Sequence, residues 1–366
     1  MTSKDEVRVL ILNNKDTEII DLYEKDKKNI TEILATIVKE DPEWKFRRDA
    51  VKIIGKIGDK DALPLLEHIL LKDHLTIMRK TAAKAMGSIG DASAVKPLIT
   101  ALDTSKDPSI IIDVACALGH LKATDAIDKI IKMLENSRDG EVRENLAQAL
   151  GLIGSEKAGE VLTKVLKTDK EDWVRGQAAE ALGLIGNKSA VPILIEALKN
   201  DTGIGVSVRV ATALGRLQDP QAIEPLIEFL RKGQNVEIRR AITYALGEIG
   251  DKSSAEIFIE LLENDEDESV RYWSCLSLGF MKYKKAVNTV LKILETDHSI
   301  RVRKTAALTI RQLSPKTKKA ITVLLDRSKE EQDDEVKQQI KETLKKIAKD
   351  NDFKSQKEFL KSLGIE

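Results

Sequence analysis

The sequence predicts an all-α protein, an α-solenoid (superhelix) of about ten helical hairpins with a period of 32 residues. Three observations predict this fold: a glycine that recurs at a fixed interval, apolar positions spaced three and four residues apart within each period, and a scarcity of aromatic side chains. Aromatic residues make up 4% of the 366 residues, whereas charged residues make up 33%. This composition favours helices over β-sandwiches, which need aromatic and β-branched residues.

One glycine in each period sets the register of the repeat. It recurs every 32 residues without insertion or deletion, and Arg311 occupies the position after the last one. The eight glycines are Gly55, Gly87, Gly119, Gly151, Gly183, Gly215, Gly247 and Gly279. Apolar residues stand one position before and two after the glycine, and small residues four before, which is the spacing of a buried helix stripe. Each repeat is therefore predicted to contain a helix A, in which the glycine lets the partner helix approach closely.

A second glycine, three residues after the first, is expected to end helix A in a left-handed cap. It is present as Gly58, Gly90, Gly154, Gly186 and Gly250. Other residues replace it at Lys122, Gln218, Lys282 and Ser314, where we expect a different cap. The following Asp, Asn or Ser predicts the N-cap of a second helix, helix B, whose first turn tolerates proline. Its prolines are Pro64, Pro97, Pro192 and Pro225.

The register predicts one solenoid domain over residues 1–366. Residues 1–40 are expected to form an N-terminal cap and a degenerate repeat, and residues 41–313 the regular repeats. Residues 314–366 are expected to form a C-terminal degenerate repeat and cap, because the last units of such an array must face solvent.

Charge and cysteine content limit the function classes. Lys plus Arg (60) equal Asp plus Glu (60), so no overall charge directs the chain to nucleic acid or acidic lipid. The charged N-terminus does not resemble a signal peptide, and no apolar run reaches the roughly 20 residues that span a bilayer. Cys116 and Cys275 lie far apart in helical patterns, which favours a reducing compartment. A soluble cytoplasmic protein without membrane contact is expected.

The segments that carry the repeat resemble HEAT-like repeats of the phycobilisome-lyase type, most clearly from Val174 and Arg175 to Gly186. Similar segments are residues 78–90, 142–154 and 238–250. The resemblance covers roughly residues 41–313 and implies the fold. It also implies that some relatives attach or detach bilin pigments as paired subunits, whereas most repeats of this type are scaffolds. Fold likeness alone does not select between these roles.

An arginine of the Val-Arg pair recurs with the same period. It is present as Arg47, Arg79, Arg143, Arg175, Arg239, Arg271 and Arg303. Ile111 and Ser207 replace it in two repeats. We expect these arginines to bond loop carbonyls or acids of a neighbouring repeat, because a structural role scales with the number of repeats and a ligand site does not.

No catalytic, cofactor-binding or metal-binding residue is predicted, and no cofactor. The histidines, His68, His74, His120 and His298, are scattered without metal-ligand spacing. Cys116 and His120 stand four residues apart on one helix but lack an evident third group to orient them as a nucleophile and base. The Gly-x-x-Gly pairs end helices and do not follow strands, so they are not phosphate loops. We expect a protein that is not an enzyme.

Three surfaces depart from the repeat pattern and are candidate partner sites. The acidic strip on helix B of three adjacent repeats comprises Glu196, Glu224, Glu228, Glu256 and Glu260. The aromatic cluster of the seventh and eighth repeats comprises Tyr244, Tyr272, Trp273, Leu276 and Phe280. The basic stripe of the first two repeats comprises Arg48, Lys52, Lys56, Lys80 and Lys84.

Each surface has a plain structural alternative. In HEAT-like solenoids helix B generally lines the concave side, and stacked glutamates there repel one another, which a basic partner would relieve. A solvated acidic face is the alternative. The aromatic cluster is either an interaction or self-association patch, or a surface that the C-terminal cap covers. The basic stripe lacks interleaved aromatic residues, which favours a solvated face over a phosphate contact.

These patterns favour a non-catalytic scaffold or adaptor whose curved surface binds a protein or peptide. If the acidic strip is the contact, the partner is expected to be basic. An alternative is an auxiliary subunit of a cofactor-attaching, bilin-attaching or protein-modifying enzyme. A weaker alternative is nucleic-acid binding, which would show a steep loss of affinity with salt. Self-association through the eighth repeat is a further expectation.

Overall fold

The computed structural model describes residues 2–313, 317–351, 353 and 355–365. All of the regular secondary structure in these residues is helical, in 23 α-helices joined by short turns of 3-10 helix. The fold class predicted from the sequence is confirmed. The chain divides into two compact units, and the prediction of one continuous domain stays a prediction.

The first unit spans Met1–Ala190 and holds twelve α-helices. They are α1 (Lys4–Leu12), α2 (Asp16–Lys25), α3 (Lys27–Glu40), α4 (Trp44–Ile57), α5 (Leu63–Lys72), α6 (Thr76–Ile89), α7 (Val95–Thr104), α8 (Pro108–His120), α9 (Ile127–Asn136), α10 (Gly140–Ile153), α11 (Gly159–Thr168) and α12 (Asp172–Ile185). The helices A are α4, α6, α8, α10 and α12, and they pack side by side in that order.

The second unit spans Val191–Glu366 and holds the other eleven helices among the described residues. They are α13 (Val191–Asn200), α14 (Ile204–Leu217), α15 (Ile223–Leu230), α16 (Val236–Ile249), α17 (Ala255–Asn264), α18 (Glu268–Phe280), α19 (Val287–Thr296), α20 (Ile300–Leu313), α21 (Lys318–Glu330), α22 (Asp334–Asp350) and α23 (Gln356–Ser362). Here α14, α16, α18, α20 and α22 form the row of helices A, and each odd-numbered helix from α13 to α21 packs against the helix A that follows it.

The repeated glycine brings neighbouring helices A together. A Cβ added to Gly151 would lie 2.7 Å from the Cα of Ala181, and one added to Gly55 would lie 2.8 Å from the Cα of Ala85. These are closer than carbon atoms in contact approach one another. The partner that approaches the glycine is therefore helix A of the next repeat.

The ends of helices A confirm the left-handed cap at the second glycine and show how the cap differs where glycine is absent. The five C-terminal glycines all have positive φ, for example 76° at Gly58 and 80° at Gly186. Lys122, Gln218 and Lys282 take the same left-handed conformation, with φ of 50°, 48° and 50°. The caps still differ as expected in their hydrogen bonds: the N–H groups of these three residues bond the carbonyl three residues earlier, whereas those of Gly58, Gly154 and Gly250 bond the carbonyl four residues earlier. The fourth position, Ser314, lies outside the described residues.

Helix B begins with a turn of 3-10 helix that an Asp, Asn or Ser side chain caps. Asp59 Oδ1 accepts a hydrogen bond from the backbone N–H of Asp61 at 3.0 Å, and Asp251 Oδ1 accepts one from Ser253 at 2.8 Å. The α-helix follows directly, and Pro64 and Pro192 occupy its second residue. The predicted N-caps and proline positions are thus confirmed.

The chain ends add helices where the sequence predicts caps. Helix α1 buries Val7 and Ile11, and α3 buries Ile30 and Leu34. At the other end α22 packs against α20 as a further helix A, with α23 against it. No described helix has both the length and the apolar character to cross a membrane.

Candidate partner-binding surfaces

The repeated arginines form a ladder of buried ion pairs between consecutive repeats. Arg143 Nε and Nη2 donate to the two carboxylate oxygens of Asp169 at 2.6 and 2.8 Å. The acid stands 26 residues after the arginine, and Arg239 with Asp265 repeats this geometry. Arg271 with Asp297 does so as well, and Arg303 pairs with Glu331.

The same arginines also bond backbone carbonyls. Arg175 Nη1 donates to the carbonyl of Asp169 at 2.9 Å, and Arg271 Nη1 to that of Asp265 at 3.0 Å. Each of these acids therefore joins two arginines, one through its carboxylate and one through its carbonyl. The expected structural role of the arginines is confirmed. Burial alone would raise the pKa of Asp169, but the hydrogen bonds from Arg143 lower it below its ordinary value.

Two repeats lack the ladder arginine, and in both the acid is missing as well. Ile111 stands where the arginine would be, and Ser137 stands 26 residues later in place of the acid. Ser207 is likewise matched by Gly233. The joint loss has a physical reason, since a buried carboxylate without its arginine would be destabilising. Arg79, in contrast, is kept although Ser105 replaces its acid, and its Nε donates to the carbonyl of Leu70 at 2.8 Å.

The acidic strip lies on α13, α15 and α17 of the second unit, with all five side chains exposed. Glu228 Oε2 lies 4.0 Å from Lys199 Nζ, a loose pair, and Glu256 accepts a hydrogen bond from Tyr283 Oη at 2.6 Å. Glu224 and Glu260 form no ion pair with any described residue. The strip thus carries more acid than the surrounding cations neutralise.

Acids of helices B outside the strip are paired more closely. Glu135 lies 3.3 Å from Lys164 of the next repeat, and Glu263 lies 3.8 Å from Lys292. In the column of Glu196, Glu228 and Glu260, the same position holds Lys164 in one repeat and Lys292 in another. A lysine or an acid is therefore equally compatible with the fold at this position, so the fold does not require the three glutamates.

The aromatic cluster is a contiguous group on α16 and α18. The ring of Trp273 meets those of Tyr244 and Tyr272 edge to face, with centroids 5.2 Å apart in each case. Arg301, at the start of α20, places its guanidinium 3.8 Å from the centroid of Tyr272. Burial raises the pKa of the Tyr244 hydroxyl above its ordinary value, with a further contribution from the charge of Glu248.

Phe280 extends this cluster into solvent. Its side chain is 66% exposed at the end of α18, while Leu276 is half-buried one turn before it. The C-terminal helices α22 and α23 stack beyond α20, so these described cap helices leave Phe280 open.

The basic stripe lines a cleft of about 350 Å³ between α4 and α6, but its charges are largely neutralised within the chain. Arg48 makes a bidentate pair with Asp49, at 2.9 and 3.0 Å, and Lys52 bonds the same carboxylate. Lys56 pairs with Asp16 at 2.6 Å. Lys80 and Lys84 lie 3.9 and 3.3 Å from Asp113, which is buried. Phosphate binding here would compete with these internal partners.

The surroundings of the Cys116 thiol disfavour the thiolate form that a cysteine nucleophile needs. Burial, with the charge of Asp113, raises its pKa, and its Sγ lies 3.4 Å from Asn145 Oδ1. Cys275 is fully buried, and its pKa is raised to about 12. Within the described part of the chain, no group of three His, Cys, Asp or Glu side chains could hold a metal ion.

Sequence reasoning missed one group of side chains that the fold brings together. Lys106, Lys132 and Arg138 surround a cleft at the repeat that lacks the ladder arginine. The sequence did contain a signal for this group: Ser137 replaces the acid in the same repeat in which Ile111 replaces the arginine. A search for the arginine positions alone does not connect these two residues.

Comparisons with known proteins agree with this architecture. The model of the family described as HEAT repeats matches residues 31–119, 95–183, 127–207, 160–247, 191–274 and 255–345. A search of curated proteins finds no match. Among solved structures, importin β is 15% identical, with a TM-score of 0.58 over 88% of this chain and 51% of that chain. Yeast importin β is 14% identical, with a TM-score of 0.61 and the same shares of the two chains.

A third solved structure, the complex of CpcE and CpcF of phycocyanin lyase from Nostoc sp. PCC7120, is 23% identical over 64% of this chain and 94% of that chain, with a TM-score of 0.42. This chain spans about half the length of the importin β chains that it matches. At these identities the likeness to importin β shows the fold, an α-solenoid. The family matches together extend from residue 31 to residue 345, and the chain belongs to the HEAT repeat family.

Proposed function

We propose that this protein is a non-catalytic scaffold or adaptor in the cytoplasm, and that its acidic strip binds a basic segment of a partner protein. The observation that carries the proposal is the excess of acid on α13, α15 and α17, where Glu224 and Glu260 have no ion pair among the described residues. Exposed like charges in register repel one another, and a cationic partner would remove that repulsion.

The aromatic cluster is proposed as a second contact of the same unit. Half-buried aromatic side chains beside an arginine, with an exposed phenylalanine next to them, are typical of the residues that dominate binding energy at protein interfaces. Phe280 is the anchor in this proposal, because it is the most exposed large apolar side chain of the cluster. A second copy of the chain is one partner that could use it.

The test of the acidic strip compares three baits in a quantitative pull-down from native lysate. The baits are the wild type, the double variant Glu224→Lys and Glu260→Lys, and a control with Glu156→Lys and Glu160→Lys. The control makes the same change of charge on exposed positions of the first unit, and Glu160 has the register of Glu224 two repeats earlier. We expect polypeptides with basic segments to be retained by the wild type and the control and lost by the strip variant.

Other results would redirect the proposal. If all three baits retain the same polypeptides, the acidic strip is not the contact. If the wild type retains a pigment or another small molecule and no polypeptide, the alternative of an auxiliary subunit of a cofactor-attaching or protein-modifying enzyme gains support.

A further inference from the structure

A cleft of about 540 Å³ lies in the first unit where the arginine ladder is interrupted. It is bounded by the start of α8, the end of α9 and the start of α10. Ligand pockets in proteins commonly measure roughly 300–1,000 Å³, so the cleft has room for one or two side chains of a partner.

The floor of the cleft is apolar because the ladder pair is missing. Ile111 and Met133 are half-buried in it, and Val142 is buried. In the following repeat Arg143 and Asp169 form a bidentate pair at the corresponding positions. Ile111 and Ser137 cannot form that pair; the Ser137 hydroxyl bonds the backbone of Asp139, and the Ser137 carbonyl accepts a hydrogen bond from Arg143 Nη1 at 3.3 Å.

The rim of the cleft is cationic. Lys106, Lys132 and Arg138 are exposed, and none of them forms an ion pair with a described residue. A fourth cation, Lys129, already pairs with Asp103. The acid in the lining, Asp139, accepts a hydrogen bond from the backbone N–H of Val142 as the N-cap of α10. The rim therefore has three cations available to a partner.

The second repeat without a ladder arginine shows that this arrangement is not an automatic result of losing the pair. At Ser207 and Gly233 the connecting loop folds over itself: Gln234 Nε2 donates to the carbonyl of Phe229 at 2.9 Å. Arg239 Nη1 donates to the carbonyl of Gln234 at 3.0 Å, as Arg143 Nη1 does to that of Ser137 in the Ile111 repeat. The positions of Lys106, Lys132 and Arg138 are occupied there by Thr202, Glu228 and Gln234, so the cationic rim belongs to the Ile111 repeat and does not follow from the missing pair.

We infer that this cleft binds an acidic segment of a partner protein, with an apolar side chain inserted against Ile111 and Met133. Carboxylates on either side of that apolar residue would meet Lys106, Lys132 and Arg138. The site goes beyond the proposed function, since it lies in the other unit and selects the opposite charge. It would bind whether or not the acidic strip has a partner.

The probe is a fluorescein-labelled peptide of two central leucines flanked on each side by glutamates, and binding to the full chain is measured by fluorescence anisotropy. Two control peptides replace the leucines by serines, or the glutamates by lysines. We expect the acidic peptide with leucines to bind, the serine peptide to bind at least about tenfold more weakly, and the lysine peptide not to bind.

Two variants test the location. Ile111→Arg with Ser137→Asp rebuilds the ladder pair and fills the floor, so we expect binding to fall at least about tenfold while thermal unfolding shows a folded protein. Lys132→Glu with Arg138→Glu reverses the rim and should also abolish binding. The control is Lys292→Glu, at the register of Lys132 in the second unit, and should leave the affinity unchanged.

Three outcomes would overturn the inference. The first is no binding of the acidic peptide to the wild type. The second is equal binding of the leucine and serine peptides, which would indicate charge attraction without the apolar floor. The third is unchanged affinity in the variant that rebuilds the ladder pair. Loss of binding in both cleft variants, with retention in Lys292→Glu, supports the cleft as the site.

Discussion

At the scale of single residues, the ladder pairs show how burial constrains the sequence. Arg143 is 8% exposed, and the side chain of Asp169 is 6% exposed. Removing one partner would leave the other charge buried and uncompensated, at a cost of about 3–5 kcal/mol, whereas removing both costs far less. The cost of an unpaired carboxylate explains why Ser137 replaces the acid where Ile111 replaces the arginine, whereas Arg79, which has Ser105 in place of its acid, donates to the carbonyl of Leu70 instead.

The left-handed lysines lead to a prediction about stability. Lys122 has φ of 50°, a conformation that costs an L-residue about 1–2 kcal/mol and that glycine adopts without this cost. We expect Lys122→Gly to raise the free energy of unfolding by about 0.5–1 kcal/mol, since the greater entropy of glycine in the unfolded chain offsets part of the gain. Urea unfolding measures the change. Lys122→Ala is the control and should give no increase; equal gains in both variants would exclude relief of backbone strain as the cause.

The pKa of Glu331 leads to a prediction of how the stability of the fold depends on pH. Burial alone would raise its pKa, but hydrogen bonds from Arg303 and the backbone, with the charge of Arg327, lower the pKa from 4.5 to about 2. Because the pKa of Glu331 is lower in the folded protein than in the unfolded chain, the ionised side chain stabilises the fold at pH values above about 4.5. This stabilisation is lost as the pH falls from about 4.5 through about 2. The lowered pKa corresponds to a stabilisation of about 3 kcal/mol at neutral pH.

We therefore expect Glu331→Gln to be destabilised relative to the wild type at pH 7, with a smaller difference near pH 3. Urea unfolding at the two pH values measures this. Glu330→Gln, at the adjacent exposed position, is the control and should match the wild type at both. A difference for Glu331→Gln that is the same at both pH values would contradict the low pKa.

At the scale of helices, the distance between neighbouring helices A depends on glycine. Gly151 faces Ala181, and Gly215 faces Ala245, each so closely that a Cβ would lie 2.7 Å from the opposing Cα. Helix propensity alone would favour alanine at both glycines, since glycine costs about 1 kcal/mol in a helix interior. The close packing of two backbones therefore outweighs propensity at these positions.

Gly151→Ala is predicted to destabilise the protein by about 1–3 kcal/mol, because the new methyl group must push two packed helices apart. The matched control is Gly159→Ala, at the start of α11, where a Cβ would meet no atom within 4 Å. We expect that control to be neutral or slightly stabilising. Thermal and urea unfolding compare the two variants, and equal effects would show that the close approach does not limit stability.

At the scale of the whole molecule, each unit is a row of hairpins in which contacts are made mainly between neighbours. Stability in such arrays is roughly a sum over repeats and their interfaces, so the exposed faces are free to diverge. The acidic strip and the aromatic cluster lie on the B and A rows of the second unit, and the cationic cleft lies in the first. Three different chemistries are thus presented by one repeated scaffold.

Phe280 leads to a prediction for the association of whole chains. Because its side chain is 66% exposed, Phe280→Ser should leave the free energy of unfolding within about 0.5 kcal/mol of the wild type. If the aromatic cluster joins two copies, sedimentation velocity over a range of concentrations should show a wild-type dimer that Phe280→Ser lacks. Trp173→Ser, which alters an exposed aromatic residue of the first unit, is the control and should still dimerise. A wild type that is monomeric at all concentrations would rule out this use of the cluster.

The sequence by itself determined the repeat and most of its local structure. The glycine register, the apolar stripes and the capping residues act within a few residues of the chain, so their spacing was sufficient to predict helices A and B. The structural role of the arginines also followed from their recurrence. The left-handed conformation of Lys122 was not predicted, because no local rule states how much strain the packed turn will tolerate.

Only the tertiary structure decided which side chains meet across repeats. Asp113 neutralises Lys80 and Lys84 from the next helix A, which the sequence gives no means to foresee. The openness of Phe280 and the cationic cleft at Ile111 likewise depend on residues far apart in the chain. Local spacing fixes the helices because their hydrogen bonds are local, whereas surface chemistry depends on the distances between helices, which packing alone sets.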